Sequence, residues 1–138
     1  MPALRPGNGA SYNRPMSAFD VCIRGSGAVA LSAALSLSRL GLRVAWTGPQ
    51  PATGGPDPRA YALNAASVQL LQSLKVWDAL PADARTAVLD MQVQGDQSAS
   101  LHFSAWSAGS EQLAWIVDAA ELEAGLAAAV RYAPHVSH

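Results

Sequence analysis

Cysteine is almost missing: Cys22 is the single one in 138 residues. An internal disulfide is therefore excluded. The thiol lies in a short apolar run, where a buried, inert side chain is expected, and a reducing, cytoplasmic setting is permitted. Charge is also scarce. Only 14% of residues are charged and the formal net charge is −1, so no electrostatic argument supports nucleic acid or an acidic membrane as a partner. No run of about 18 apolar residues occurs, and no membrane-spanning helix is expected. Residues 1–18 hold Arg5 and Arg14 but no apolar h-region, which argues against a secretory signal. Their Pro, Gly, Asn and Ser follow no period and read as a disordered lead-in. His102, His135 and His138 lack metal-ligand spacing. Neither a Ser/His/Asp nor a Cys/His arrangement can be drawn, so no catalytic residue and no metal ligand are expected.

Half of the residues are hydrophobic, enough for one domain with a real core and suggestive of apolar surface meant to be covered. The chain is organised around Asp20-Val21-Cys22-Ile23-Arg24-Gly25-Ser26-Gly27-Ala28-Val29-Ala30. The apolar run reads as a strand, and two glycines one residue apart allow a turn that a Cβ would strain. Leu31, Ala34, Leu35 and Leu40 then recur at helical spacing, with Gly41 where a helix C-cap is expected. Leu42-Arg43-Val44-Ala45-Trp46 reads as a second strand.

Strand, glycine turn, helix and strand make the first half of a βαβ dinucleotide-binding unit. In such a unit the backbone N–H groups at the helix start face a diphosphate. Gly25-x-Gly27-x-x-Ala30 fits the fingerprint, since its third position needs only a small residue. A purely structural βαβ turn is the competing reading. The acidic residue expected about 20 residues on, for the ribose hydroxyls, is absent; the second strand ends Thr47-Gly48-Pro49. Arg24 is unusual in a strand expected to be buried on both faces, and reads either as a surface arginine or as a group at the strand end near phosphates.

Thr47 to Pro58 holds four prolines and three glycines and reads as a surface connection. Asn64 is a candidate N-cap for a helix carrying Leu70, Leu71 and Leu74 towards Trp77, and Pro81 closes that unit. Val88–Gln94, the turn signal Gly95-Asp96 and Ser100–Phe103 predict an antiparallel hairpin. Leu113–Val117 reads as a further strand. Asp118 and Glu121 then have capping-box spacing for a helix carrying Leu122, Leu126 and Val130. The four Trp residues read as packing anchors.

Four stretches come in a family's order: Phe19–Gly27, Asp57–Ser67 with its Arg-Ala-Tyr-Ala-Leu-Asn core, Leu74–Leu80, and Trp115–Asp118. Together they resemble the FAD-dependent aromatic hydroxylases of ubiquinone biosynthesis, within the group similar to p-hydroxybenzoate hydroxylase. The resemblance implies an α/β fold: the N-terminal part of a Rossmann-like FAD-binding domain over residues 19–138, with a βαβ core and an added antiparallel hairpin. It implies that Gly25, Ser26, Gly27 and Ala30 form the turn under the FAD diphosphate, and that Arg59 contacts the phosphate or ribityl region. A planar guanidinium suits that role because it can meet two phosphate oxygens at once. Arg59 as a surface residue closing a Pro-rich loop is the bland alternative.

The activity implied is monooxygenation. NAD(P)H reduces FAD, and O₂ is used to hydroxylate a prenylated aromatic quinone precursor. Peripheral membrane association and a homo- or hetero-oligomer covering apolar surface are compatible with it. The family's ribose-binding glutamate falls at Gly48, and its later Asp-Gly and Gly-Asp motifs have no counterpart among these residues. The isolated chain is therefore expected to bind FAD weakly and to be inactive. An NAD(P)-binding module and a non-catalytic interaction protein that kept the fold are the rival readings.

Overall fold

The computed structural model describes residues 19–49, 57–96 and 99–138. The disordered lead-in expected at 1–18, and residues 50–56 of the surface connection expected from Thr47 to Pro58, lie outside the described residues. The elements run β1 (Val21–Arg24), α1 (Ala28–Arg39), β2 (Val44–Thr47), β3 (Ala60–Leu63), α2 (Ala65–Ser73), two 3₁₀ turns at Trp77–Ala79 and Ala82–Ala84, β4 (Arg85–Val88), β5 (Asp90–Gln94), β6 (Ser100–Ser104), β7 (Ala114–Asp118), α3 (Ala119–Arg131) and β8 (Val136–Ser137). The α/β class and the βαβ core are as expected from sequence.

β1 and β2 run parallel, with Val21 opposite Val44 and Ile23 opposite Trp46. β8 adds a third parallel strand through Val44 and Val136, giving the order β1-β2-β8. By register Val21, Ile23, Val44, Trp46 and Val136 share one sheet face, the face that packs into the common core. α1 supplies Leu31, Ala34, Leu35 and Ser38 to that core, and α3 supplies Leu122, Leu126 and Val130. Each spacing is one stripe of a helix, and burying such a Leu or Val contributes roughly 1.5–3 kcal/mol.

The opposite sheet face carries Cys22, Arg24 and Thr47, all exposed. Cys22 is therefore not the buried thiol expected. The expectation assumed helices on both faces, whereas among the described residues only one face is covered and β1 is an edge strand. Arg24 is exposed on the same open face, as the surface reading required.

Local chemistry fixes the helix ends. Gly41 has φ +79, its N–H reaches the Ser38 carbonyl at 2.9 Å, and Leu42 N–H reaches Leu37 at 3.1 Å. This is a Schellman stop, and it needs a left-handed residue at that point. α2 starts on Asn64, whose side chain accepts from Ser67 N–H at 2.9 Å. It ends in the same way as α1, but with Lys75 at φ +61 in the glycine's place. α3 starts on Asp118, which accepts from Ala120 N–H at 2.9 Å and Glu121 N–H at 3.2 Å. The half of the predicted capping box that forms is the Asp118 half.

A second sheet, β3-β7-β4, is antiparallel, with β7 in the centre. β3, and β4 apart from Val88, were unassigned from sequence. The single strand expected from Val88 is divided at Leu89. Val88 accepts from Leu113 N–H at 2.8 Å in one sheet, and Leu89 accepts from Ala105 N–H at 2.8 Å beside the next. The expected hairpin is β5–β6, with Met91 opposite Phe103 and Val93 opposite Leu101. Those four apolar side chains share one face and are all exposed. Trp46 and Trp77 are buried anchors, and Trp77 meets Trp115 edge-on at 5.4 Å. Trp106 is 92% exposed and anchors nothing, contrary to expectation, because it follows the hairpin and lies beyond the core. No helix among the described residues is long and apolar enough to cross a membrane.

Candidate functional site at the mouth of α1

Gly25 leaves β1 with φ +146, a conformation that side-chain-bearing residues rarely adopt. A Cβ there would also stand 3.2 Å from the Ala30 Cβ, so first and third fingerprint positions pack against each other. This contact explains why Ala suffices at position 30 and why anything larger would push the helix off the turn. The turn is tied to β2 by Gly25 N–H donating to the Thr47 carbonyl at 2.8 Å and by Trp46 Nε1–H donating to the Gly25 carbonyl at 2.5 Å. Ser26 follows, and Gly27 is the N-cap of α1 in an extended conformation. Among the described residues no side chain caps this helix, and no acidic residue lies in its first turn. Its leading N–H groups are left for a ligand or water, at the positive end of the helix dipole. A Cβ on Gly27 would meet nothing nearer than Glu123 Oε1, at 3.9 Å.

Glu123 comes from α3, and its side chain is 14% exposed. Tyr61, on β3, donates its hydroxyl proton to Glu123 Oε1 at 2.6 Å. Arg59, just before β3, places Nη2 3.7 Å from Glu123 Oε2 and 2.6 Å from Asp57 Oδ2, while its Nε donates to Asp57 Oδ1 at 2.9 Å. The Arg59 hydrogen bonds hold the Asp57 carboxyl below its ordinary range. Arg59 itself is shifted upward, first by Asp57 and then by Glu123, and so stays a cation. The hydrogen bond to Glu123, then burial, pushes the Tyr61 phenol up.

Gly25, Ser26, Gly27 and Ala30 thus belong to one turn, and Arg59 pairs with Glu123, whose Oε1 lies 3.9 Å from where a Gly27 Cβ would stand. The Arg59 side chain is 61% exposed and engaged by Asp57, a position that both the surface reading and the ligand reading accommodate. Glu123 was missed from sequence: it follows a core leucine on a helix, and its spacing carries no signal of a partner at Tyr61. Among the described residues no group of three His, Cys, Asp or Glu side chains could hold a metal ion. Chemically, the arrangement offers oriented N–H donors, one guanidinium and a largely buried carboxylate, which suits an anion carrying hydroxyl groups.

No family model matches the chain. Among solved structures it is similar to p-nitrophenol 4-monooxygenase PnpA from Pseudomonas putida, with TM-score 0.62, 18% identity, and coverage of 84% of this chain and 30% of that one. It is also similar to PqsL, a probable FAD-dependent monooxygenase from Pseudomonas aeruginosa, with TM-score 0.65, 18% identity, and coverage of 86% and 32%. A third is aklavinone-11 hydroxylase in its complex with FAD and aklavinone, with TM-score 0.57, 25% identity, and coverage of 86% and 24%. The fold is that of the N-terminal part of FAD-dependent monooxygenases, and the chain spans about a third or less of the length of the proteins it matches.

Proposed function

We propose that this chain is the nucleotide-binding part of a flavin-dependent monooxygenase. The observation that carries the reading is the uncapped start of α1 behind a glycine turn whose first residue requires positive φ. The residues fit FAD. Gly25 and Ala30 close the helix onto the strand, Ser26 and Gly27 present main chain to a diphosphate, and Arg59, paired with Glu123, keeps its charge at all accessible pH. FAD supplies the redox chemistry with O₂, and NAD(P)H is the donor proposed for it. The protein's share is to bind and orient the dinucleotide.

The finer proposal is hydroxylation of a prenylated aromatic precursor of ubiquinone, which rests on the resemblance of the Arg59–Asn64 block and its neighbours. A protein working on such an apolar substrate would associate peripherally with a membrane from the cytoplasmic side. The exposed Met91, Val93, Leu101 and Phe103 face supports the further reading that another protein surface covers the hairpin, in a homo- or hetero-oligomer. Titration of the purified chain with FAD, NAD and NADP tests the central reading. Weak binding with preference for FAD is expected, without hydroxylation; equal or stronger binding of NAD or NADP would refute it.

A further inference from the structure

We propose that Glu123 supplies the carboxylate that receives the nucleotide's hydroxyl groups at this site, in place of an acidic residue after β2. The inference rests on the nucleotide reading above and adds a ligand-contacting residue to it.

Position 48 is closed to a side chain. A Cβ on Gly48 would lie 2.7 Å from the Gly25 carbonyl oxygen and 2.8 Å from its carbon. The obstacle is backbone, and it is the backbone of the turn itself. The same carbonyl is held by Trp46 Nε1, so it cannot withdraw without losing that bond. An acid at the end of β2 is thus incompatible with this turn as built, and a hydroxyl-binding carboxylate has to come from another element.

Glu123 meets the requirement from α3. Glu123 Oε1 lies 3.9 Å from where a Cβ on Gly27 would stand. A largely buried carboxylate is costly unless partnered. Tyr61 at 2.6 Å and Arg59 at 3.7 Å meet that cost and fix the group's orientation. A carboxylate accepts at about four lone-pair positions, and these two contacts leave capacity on both oxygens. The local charges point the same way. Among the described residues Arg59 is already paired by Asp57 and Glu123, so it adds little attraction for a bare diphosphate. A diphosphate joined to a ribose or ribitol brings O–H donors, which can form charge-assisted hydrogen bonds to the Glu123 carboxylate. The ligand class selected is a diphosphate-linked polyol, with inorganic pyrophosphate disfavoured.

The test uses the full chain, wild type and Glu123→Gln, titrated with FAD and separately with pyrophosphate. Far-UV circular dichroism and thermal melting establish that the variant is folded, and Tyr61→Phe serves as a second variant that keeps the carboxylate but removes its donor. Glu123→Gln is expected to weaken FAD binding about tenfold or more, as for a lost charge-assisted hydrogen bond, while pyrophosphate binds no more weakly than to wild type. Tyr61→Phe is expected to lower FAD affinity by less. FAD binding unchanged or tightened by Glu123→Gln overturns the proposal, since the carboxylate would then be a bystander or only a repulsive charge. Parallel loss of FAD and pyrophosphate also overturns it, because Glu123 would then act by holding Arg59. Wild-type chain that binds neither FAD nor any other dinucleotide removes the nucleotide reading itself, a result separate from the other two.

Discussion

Replacing Gly48 by alanine tests how tightly the glycine turn is built. The added Cβ would sit 2.7 Å from the Gly25 carbonyl oxygen, where an ordinary carbon–oxygen contact is about 3.3 Å or more. About half an ångström of movement is required, and the group that must move is backbone held at φ +146 on one side and by the Trp46 indole on the other. Overpacking of this kind costs about 1–3 kcal/mol, and losing the indole hydrogen bond alone costs about 1 kcal/mol. We expect Gly48→Ala to destabilise the chain by about 2 kcal/mol, which lowers the urea midpoint by about 1 M at an ordinary slope. Urea denaturation followed by tryptophan fluorescence reads this directly, because Trp46 is buried against the turn. A glutamate at the same position should be at least as damaging. A midpoint for Gly48→Ala within about 0.2 M of wild type would refute the steric argument, and with it the explanation for the missing acid after β2.

Other perturbations check separate parts of the structure. Lys75→Gly relieves a left-handed residue at the end of α2 and should stabilise the chain by about 0.5–1 kcal/mol, measured by the same denaturation. Asp118→Ala leaves the Ala120 and Glu121 N–H groups without their acceptor and should cost about 1 kcal/mol, with Asp118→Asn restoring most of it. Tyr61 should titrate above its ordinary value of 10.0, seen as a late phenolate absorbance step absent from Tyr61→Phe. Because its folded value is raised, the stabilisation from the Tyr61–Glu123 bond is complete below the ordinary value and disappears as pH rises through the folded one. Glu123→Gln should move that step back down; a Tyr61 step that stays put would contradict the bond.

What was legible in the sequence was what neighbouring residues decide among themselves. Gly41, Asn64 and Asp118 end or begin helices through contacts within about one turn, and each was placed correctly. The Gly25–Ala30 spacing marked the turn because only small residues permit that approach of helix and strand. What was not legible depends on partners far along the chain. β3 and β4 are four residues each and acquire their identity from β7, which pairs with both. The division at Leu89 reflects passage from one sheet to another, which a period-two pattern does not register. Cys22 was misplaced because burial of a strand depends on which faces other elements cover. Glu123 was invisible because its partner Tyr61 is 62 residues away.

The most direct test is amide-resolved NMR of the uniformly ¹⁵N-labelled chain during addition of FAD. Perturbations should be largest at the main-chain N–H groups of Gly25 to Ala30, with Arg59 and Glu123 responding alongside. Amides of that turn left unmoved at saturating flavin, or shifts gathered on the β5–β6 hairpin instead, would contradict the placement of a diphosphate at the head of α1.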